Sequence, residues 1–162
     1  MKIGVVSDTH GHIPYTRDAI YMLQSFEVEQ VIHCGDIGGP EIVELFHHWK
    51  THFVLGNVDE YPEEIKKSAL EQGHNYYERF GELNLESTKI ALLHGDDTKR
   101  LDKVIQSGHY DLVCHGHTHQ SKVERVGQTL VLNPGALYRA RPHSIAIVEL
   151  PALDAKIIEV SS

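Results

Sequence analysis

The chain has 162 residues, 41% of them hydrophobic and 23% charged, the balance of one soluble globular domain, residues 1–162, with a full hydrophobic core. Its formal net charge of −8 argues against bulk binding to nucleic-acid backbone or to an anionic membrane surface, and no apolar run approaches a membrane span. A phosphate substrate stays open, because bound divalent cations reverse the local sign.

The opening apolar run, residues 2–6, reads as a buried strand. It is too short for a signal-peptide core and lacks a cleavage site. Ser7-Asp8-Thr9-His10-Gly11-His12 follows as a polar turn. Pro14 then opens a helix with Tyr15, Ala19, Met22, Leu23 and Phe26 at helical spacing. Residues 30–34 form a second strand ending at Gly35-Asp36, and Gly38-Gly39-Pro40 lead into a helix with Ile42, Val43, Phe46 and Trp49 on one face. Residues 52–55 read as a third strand, ending in Gly56-Asn57-Val58-Asp59. Pro62 begins an amphipathic helix with Ile65, Ala69 and Leu70 inward, stopping near Gly73. The 61–74 segment can be a lid, a dimer contact or an ordinary extra helix, with contact or helix preferred.

From residue 75 the period shifts. Residues 76–80 and 83–86 alternate, with Gly81 as a break, and predict an antiparallel section. Residues 89–93 form another apolar strand, ending in His94-Gly95-Asp96. A helix with Leu101, Val104 and Ile105 inward stops at Gly108. Residues 111–114 run into His115-Gly116-His117-Thr118-His119. A hairpin turns at Gly127-Gln128, Asn133-Pro134-Gly135 makes a turn, and residues 144–150 and 156–160 close the chain as paired strands. Cys34 and Cys114 both fall in strand-like runs. They read as buried free thiols, which fits a reducing cytoplasm.

Five apolar strands therefore end in Asp8/His10, Asp36, Asn57, His94 and His117/His119, each beside a glycine. Any one of these has an ordinary explanation as a cap, a turn or a surface residue. Together they are the mark of a shared crevice, since ligand groups in α/β folds collect at the carboxyl ends of strands. Thirteen histidines make imidazole abundant, and imidazole is the commonest metal ligand. Two carboxylates, one amide and four imidazoles exceed the needs of a four-coordinate zinc. They fit two divalent ions sharing a bridging carboxylate, the arrangement that serves phosphoryl hydrolysis. Nitrogen and oxygen donors without thiolate favour Mn, placed first, with Ni, Fe or Zn as alternatives.

Asp8-x-His10, Gly35-Asp36, Gly56-Asn57, His94-Gly95 and Gly116-His117-x-His119, in this order, resemble the calcineurin-like metallophosphoesterases. The short length, Ser7-Asp8-Thr9-His10-Gly11 and Asn133-Pro134-Gly135 look most like the compact bacterial and archaeal phosphodiesterase subgroup, which is also similar to vacuolar protein sorting 29. The resemblance implies an α/β fold, a four-layer α/β/β/α sandwich with two mixed sheets. It implies one metal held by Asp8, His10, Asp36 and His119, and a second held by Asp36, Asn57, His94 and His117, with Asp36 bridging. It further implies that a metal-bridging hydroxide attacks a small phosphodiester in line, with Asp36, Asn57 and His117 as catalytic residues, and a homodimer is common among similar proteins. Many larger relatives carry a histidine after the Gly-Asn pair as leaving-group acid. Val58 and Asp59 stand here instead, so that role falls to Asp59 or to water. The subgroup's usual serine after Asn-Pro-Gly is Ala136.

His12, Asp59 and Arg141 are candidate substrate contacts. An arginine after the Asn133-Pro134-Gly135 turn can clamp phosphate through its bidentate fork, whereas Tyr15, Tyr138, Tyr76 and Tyr77 read as packing residues. A protein-binding scaffold on the same fold is the alternative function, although such scaffolds are expected to lose ligands and this chain keeps all seven. A metallo-β-lactamase reading of His115-x-His117 fails, because Asp then His should follow and His119-Gln120 stand there.

Overall fold

The computed structural model describes residues 1–160. The first half builds β1 (Lys2–Val6), α1 (Ile13–Ser25), β2 (Gln30–His33), α2 (Pro40–Leu45), β3 (Lys50–Phe53), α3 (Pro62–Glu71) and β4 (Asn75–Tyr76). The second builds β5 (Phe80–Leu85), β6 (Thr88–Leu93), α4 (Thr98–Gln106), β7 (Leu112–Cys114), β8 (Lys122–Val126), β9 (Thr129–Asn133), β10 (Ser144–Glu149) and β11 (Asp154–Glu159). Six strands form one sheet in the order β11-β10-β1-β2-β3-β4, and five form another in the order β5-β6-β7-β9-β8. Both are mixed. β1 to β4 run parallel, with β10 and β11 antiparallel at one side. In the second sheet β6, β7 and β9 run parallel between antiparallel β5 and β8.

The central strands are apolar on both faces because each sheet is covered twice. Alternate side chains sort accordingly. Ile3, Val5 and Ile32 meet Ile90, Leu92, Leu112 and Leu132 between the sheets. Val6, Val31, Ile145 and Ile147 face outward under Leu23, Ile42, Val43 and Ile65 from the first three helices. Ala91, Leu93 and Val113 face Leu101, Val104 and Ile105 of α4. The result is a four-layer α/β/β/α sandwich with two mixed sheets. No described helix is long and apolar enough to cross a membrane.

The helices begin where the sequence places their signals. Proline opens α2 and α3, Asp97 caps α4 by accepting from the Arg100 N–H at 3.1 Å, and His12 caps α1 through Nδ1 at 3.2 Å from the Tyr15 nitrogen. Cys34 and Cys114 are free and buried, and burial raises both thiols.

Four expectations change. The second helix stops at Leu45 with Phe46 as its C-cap, so Trp49 lies beyond it. The antiparallel section over 76–80 is not formed. β4 covers only Asn75 and Tyr76 and lies parallel to β3, with His52 opposite Asn75, after which the chain crosses to the other sheet and Gly81 lies inside β5 opposite Leu92. A two-residue strand has no period to read. The third strand ends at Phe53 rather than Leu55, because the Leu55 N–H turns to the Glu78 carbonyl, 2.6 Å away. Leu70 points outward, 55% exposed, while Ile65 and Ala69 are buried. The 61–74 segment is thus an outer-layer helix seated on the core.

Candidate metal centre

The ends of β1, β2 and β3 from one sheet and β6 and β7 from the other meet along one crevice. Backbone bonds lace them together. The Asp8 N–H donates to Gly35 O at 3.0 Å, and the Gly116 N–H donates to His94 O at 2.9 Å. Two bonds cross between the sheets. The His117 N–H donates to Asp8 Oδ2 at 3.1 Å, and His94 Nδ1–H donates to the Cys34 carbonyl at 2.8 Å.

Two triads of donor atoms result. Asp8, His10 and His119 form one, and Asp36, His94 and His117 the other. Asp8 Oδ1 lies 3.4 Å from His10 Nε2 and 3.2 Å from His119 Nε2. Asp36 Oδ2 lies 3.0 Å from His94 Nε2 and also 3.5 Å from His10 Nε2, a member of the other triad. Asn57 stands on the exposed turn between Gly56 and Val58, and the Val58 N–H holds Asp36 Oδ1 at 3.1 Å.

Five of these residues have left-handed backbones: Asp8 (φ 56°), His10 (45°), Asp36 (56°), His117 (72°) and His119 (63°). Asp and His tolerate that region better than most residues, yet each such position still costs on the order of 1 kcal/mol. Concentrating that cost in one crevice is the signature of a site whose side-chain directions matter more than local stability.

Charge is managed within the crevice. Burial opposes ionisation of Asp8, but the hydrogen bonds from His10 and from Ser7, the latter at 2.6 Å, together with the His94 and His119 imidazoles, outweigh it and hold the carboxyl at about 2. Burial likewise opposes protonation of His94, and Asp36 overcomes it and raises the imidazole. Because Nδ1 of His94 is spent on Cys34, its Nε2 is the atom aimed into the crevice. That atom is buried, lies 3.0 Å from Asp36 Oδ2 and makes no hydrogen bond.

Several supporting groups brace these ligands. His33 Nδ1 accepts from the Gly35 N–H at 3.1 Å, so its Nε2–H donates to Thr9 Oγ1 at 3.0 Å, and Thr9 donates onward to Ile37 O at 2.8 Å. This chain pins the two loops carrying Asp8, His10 and Asp36. Asn133 Nδ2 donates to Gly116 O and Thr118 Oγ1, both at 3.0 Å, and fixes the loop of His117 and His119. The Arg139 carbonyl lies 3.4 Å from His119 Nδ1. Ser7, Thr9 and Asn133 stand inside the motifs quoted from the sequence and His33 stands beside one, but their partners follow only from the fold.

Two of the proposed substrate contacts have other employment. Asp59 accepts from the Gly38 N–H at 3.0 Å and the Gly56 N–H at 2.8 Å, one on each carboxylate oxygen. It braces the two loops by satisfying one backbone donor of each, and burial raises its carboxyl. His12 spends Nδ1 on the α1 cap and stacks on Tyr15 with ring centroids 3.8 Å apart. Arg141 is exposed beside the crevice.

Burial of His33 pushes it down to about 3 from an ordinary 6.5. The unfolded chain therefore binds the extra proton between those values. Its stabilising effect is complete above pH 6.5 and is lost as pH falls, at about 1.4 kcal/mol per pH unit. Urea midpoints measured from pH 7 to pH 4 should fall steeply in the wild type and less steeply in His33→Gln. Equal slopes would remove His33 as the acid-sensitive group.

The profile of the calcineurin-like phosphoesterase superfamily domain matches residues 1–152. A phosphodiesterase of Methanocaldococcus jannaschii is 36% identical over 138 residues, 83% of each chain. The solved structure of a novel archaeal phosphodiesterase is 32% identical and superposes with a TM-score of 0.89 over 98% of this chain and 99% of that one. Vps29 of Entamoeba histolytica, solved with zinc, is 20% identical with a TM-score of 0.68, covering 99% of this chain and all of that one (100%); that likeness concerns the fold alone.

Proposed function

The chain belongs to the calcineurin-like phosphoesterase superfamily, and from that premise we propose that it is a dinuclear, metal-dependent phosphodiesterase acting on small phosphodiesters. One observation carries the dinuclear reading. Asp36 Oδ2 is within 3.5 Å of an imidazole from each triad, the position a bridging carboxylate must take. In this reading Asp8, His10, Asp36 and His119 would hold one cation, and Asp36, Asn57, His94 and His117 the other.

The residues fit such ions. The donors are carboxylate, imidazole and amide, and both thiols lie in the core between the sheets. The buried Nε2 of His94 makes no hydrogen bond and stands 3.0 Å from Asp36 Oδ2, a spacing that suits two donors sharing a cation or a proton. A mixed nitrogen and oxygen set supports manganese first, with nickel, iron or zinc as alternatives. A bound pair of divalent ions supplies Lewis-acid neutralisation of phosphoryl charge and an activated water. Two buried free thiols support a cytoplasmic setting.

The chain's own residues orient that chemistry. Asp8 carries the His117 backbone, Cys34 O fixes the His94 ring, and Arg139 O faces the far nitrogen of His119. Among the described residues leaving-group protonation is poorly served, since Val58 is apolar and Asp59, although burial raises its carboxyl, accepts a backbone N–H at each oxygen. Aryl esters should then outrun alkyl esters, because general acid help is typically worth about 10²–10⁴-fold.

The test is to strip the protein with chelator, restore Mn²⁺, Ni²⁺, Mg²⁺ or Zn²⁺, and follow an aryl phosphodiester beside its monoester and an alkyl diester. Turnover restored by metal, fastest on the aryl diester, is the expected result. No turnover with any ion, while two ions bind per chain, would overturn the reading in favour of a protein-binding scaffold.

A further inference from the structure

Two clefts open beside the candidate metal centre, and their charges differ. One, on the His94 side, is about 260 Å³ and is lined by Arg79, Arg100, Asp96 and Asp97, so its charges balance. The other is about 520 Å³, lined by Tyr15, Tyr138, Arg139, Ala140, Arg141 and His143. It contains two guanidinium groups and no carboxylate, in a chain whose formal net charge is −8. Neither arginine forms an ion pair among the described residues, where Lys2, Arg79 and Lys122 do.

The cleft is coupled to the centre by a rigid wall. The rings of His10 and Tyr138 lie 5.3 Å apart, those of Tyr138 and His12 5.9 Å, and those of Tyr15 and His143 4.1 Å, with His12 stacked on Tyr15. Tyr15 is therefore engaged by two imidazoles, one stacked on it and one tilted against it. Arg139 lies over Tyr138 at 5.2 Å and is held by that contact and by its carbonyl opposite His119. Arg141 is exposed and lines the cleft with His143, and the carboxylate of Asp18 lies near enough to act on that imidazole from outside the lining. Arg139, one ring's width from the proposed metal ligand His10, and the unpaired Arg141 on the same cleft wall together offer two cations to an anionic group of a substrate bound at the centre.

We propose that this cleft binds a second anionic group of the substrate, a phosphate or carboxylate on the ester arm, so that the preferred diester carries a charged tail. The inference rests on the phosphodiesterase reading and adds to it a substrate class. A guanidinium suits either anion through its paired N–H donors.

The experiment uses the manganese-loaded protein and three p-nitrophenyl phosphodiesters. The second ester of each is a short alkyl chain, ending in a hydroxyl, a carboxylate or a phosphate. Release of p-nitrophenol reads cleavage of the diester alone. The expected result is a kcat/KM on the order of ten-fold higher for a charged tail, the scale of a charge-assisted hydrogen bond, eroded by added salt. Arg141→Gln should collapse the ratio between charged and neutral tails, and Arg141→Lys should retain part of it. A preference for phosphate over carboxylate identifies the tail as phosphate, and equal rates identify a general anion site. Equal kcat/KM for all three tails, or a preference that survives the double variant Arg139→Gln/Arg141→Gln, overturns the inference while leaving the phosphodiesterase reading intact. Failure to cleave any of the three removes both.

Discussion

Asp36→Asn is expected to empty the metal centre and abolish hydrolysis while leaving the fold in place. The substitution keeps an amide oxygen to accept the Val58 N–H, now made at 3.1 Å to Oδ1. It removes the negative charge from the oxygen that lies between His94 and His10. A neutral amide cannot neutralise two dications at once, so both sites should weaken together. Removing mere outer partners of metal ligands commonly costs about 10–100-fold; the loss here should exceed that. Metal analysis of the purified variant, titration calorimetry with Mn²⁺ and an aryl diester assay would measure it, with circular dichroism as the control for folding. Two ions per chain and near wild-type turnover would show that Asp36 does not bridge.

The second large effect is expected at Gly116. A Cβ there would strike the Ser7 side chain and come within 2.7 Å of Asp8 Oδ2. Relief by backbone movement is blocked on both sides, since the Gly116 N–H is bonded to His94 O and its carbonyl accepts from Asn133 Nδ2. Gly116→Ala must therefore displace Asp8, and with it the His117 N–H and the triad of Asp8, His10 and His119. Overpacking of this kind costs about 1–3 kcal/mol of stability, and the displaced carboxylate should cost activity beyond what the lost stability explains. Adding Ser7→Ala removes the hydroxyl in the way and should recover part of the loss, giving a coupling visible in a double-mutant cycle of melting temperature and metal affinity. Unchanged melting and metal content in Gly116→Ala would refute the steric account.

Much of this was legible in the chain itself. The strand-turn-helix grammar is local. Apolar runs such as Ile3 to Val6 and Ile90 to Leu93 are buried on both faces whatever covers them, and a helix opened by Pro62 needs no knowledge of its neighbours. Because strand ends are where an α/β fold gathers its polar groups, Asp8, His10, Asp36, Asn57, His94, His117 and His119 could be picked out as a set before any of them had a position. Elements too short to show a period, such as β4, and faces decided by a neighbour, such as that of Leu70, were beyond that reading.

Only the tertiary structure decided which donor meets which. The pairing of His119 with Asp8 and of His94 with Asp36 depends on two sheets facing each other at one edge, and residues more than fifty positions apart carry no local sign of it. The same holds for Asp59, whose carboxylate could equally face solvent or backbone until the loops at Gly38 and Gly56 are brought beside it. Sequence determines which chemistry a strand end can offer, because residue type and backbone period are properties of a few neighbours. The direction in which each group points is set by left-handed backbones, missing Cβ atoms and braces such as His33 and Asn133, and these follow from long-range packing that exists only once the chain has folded.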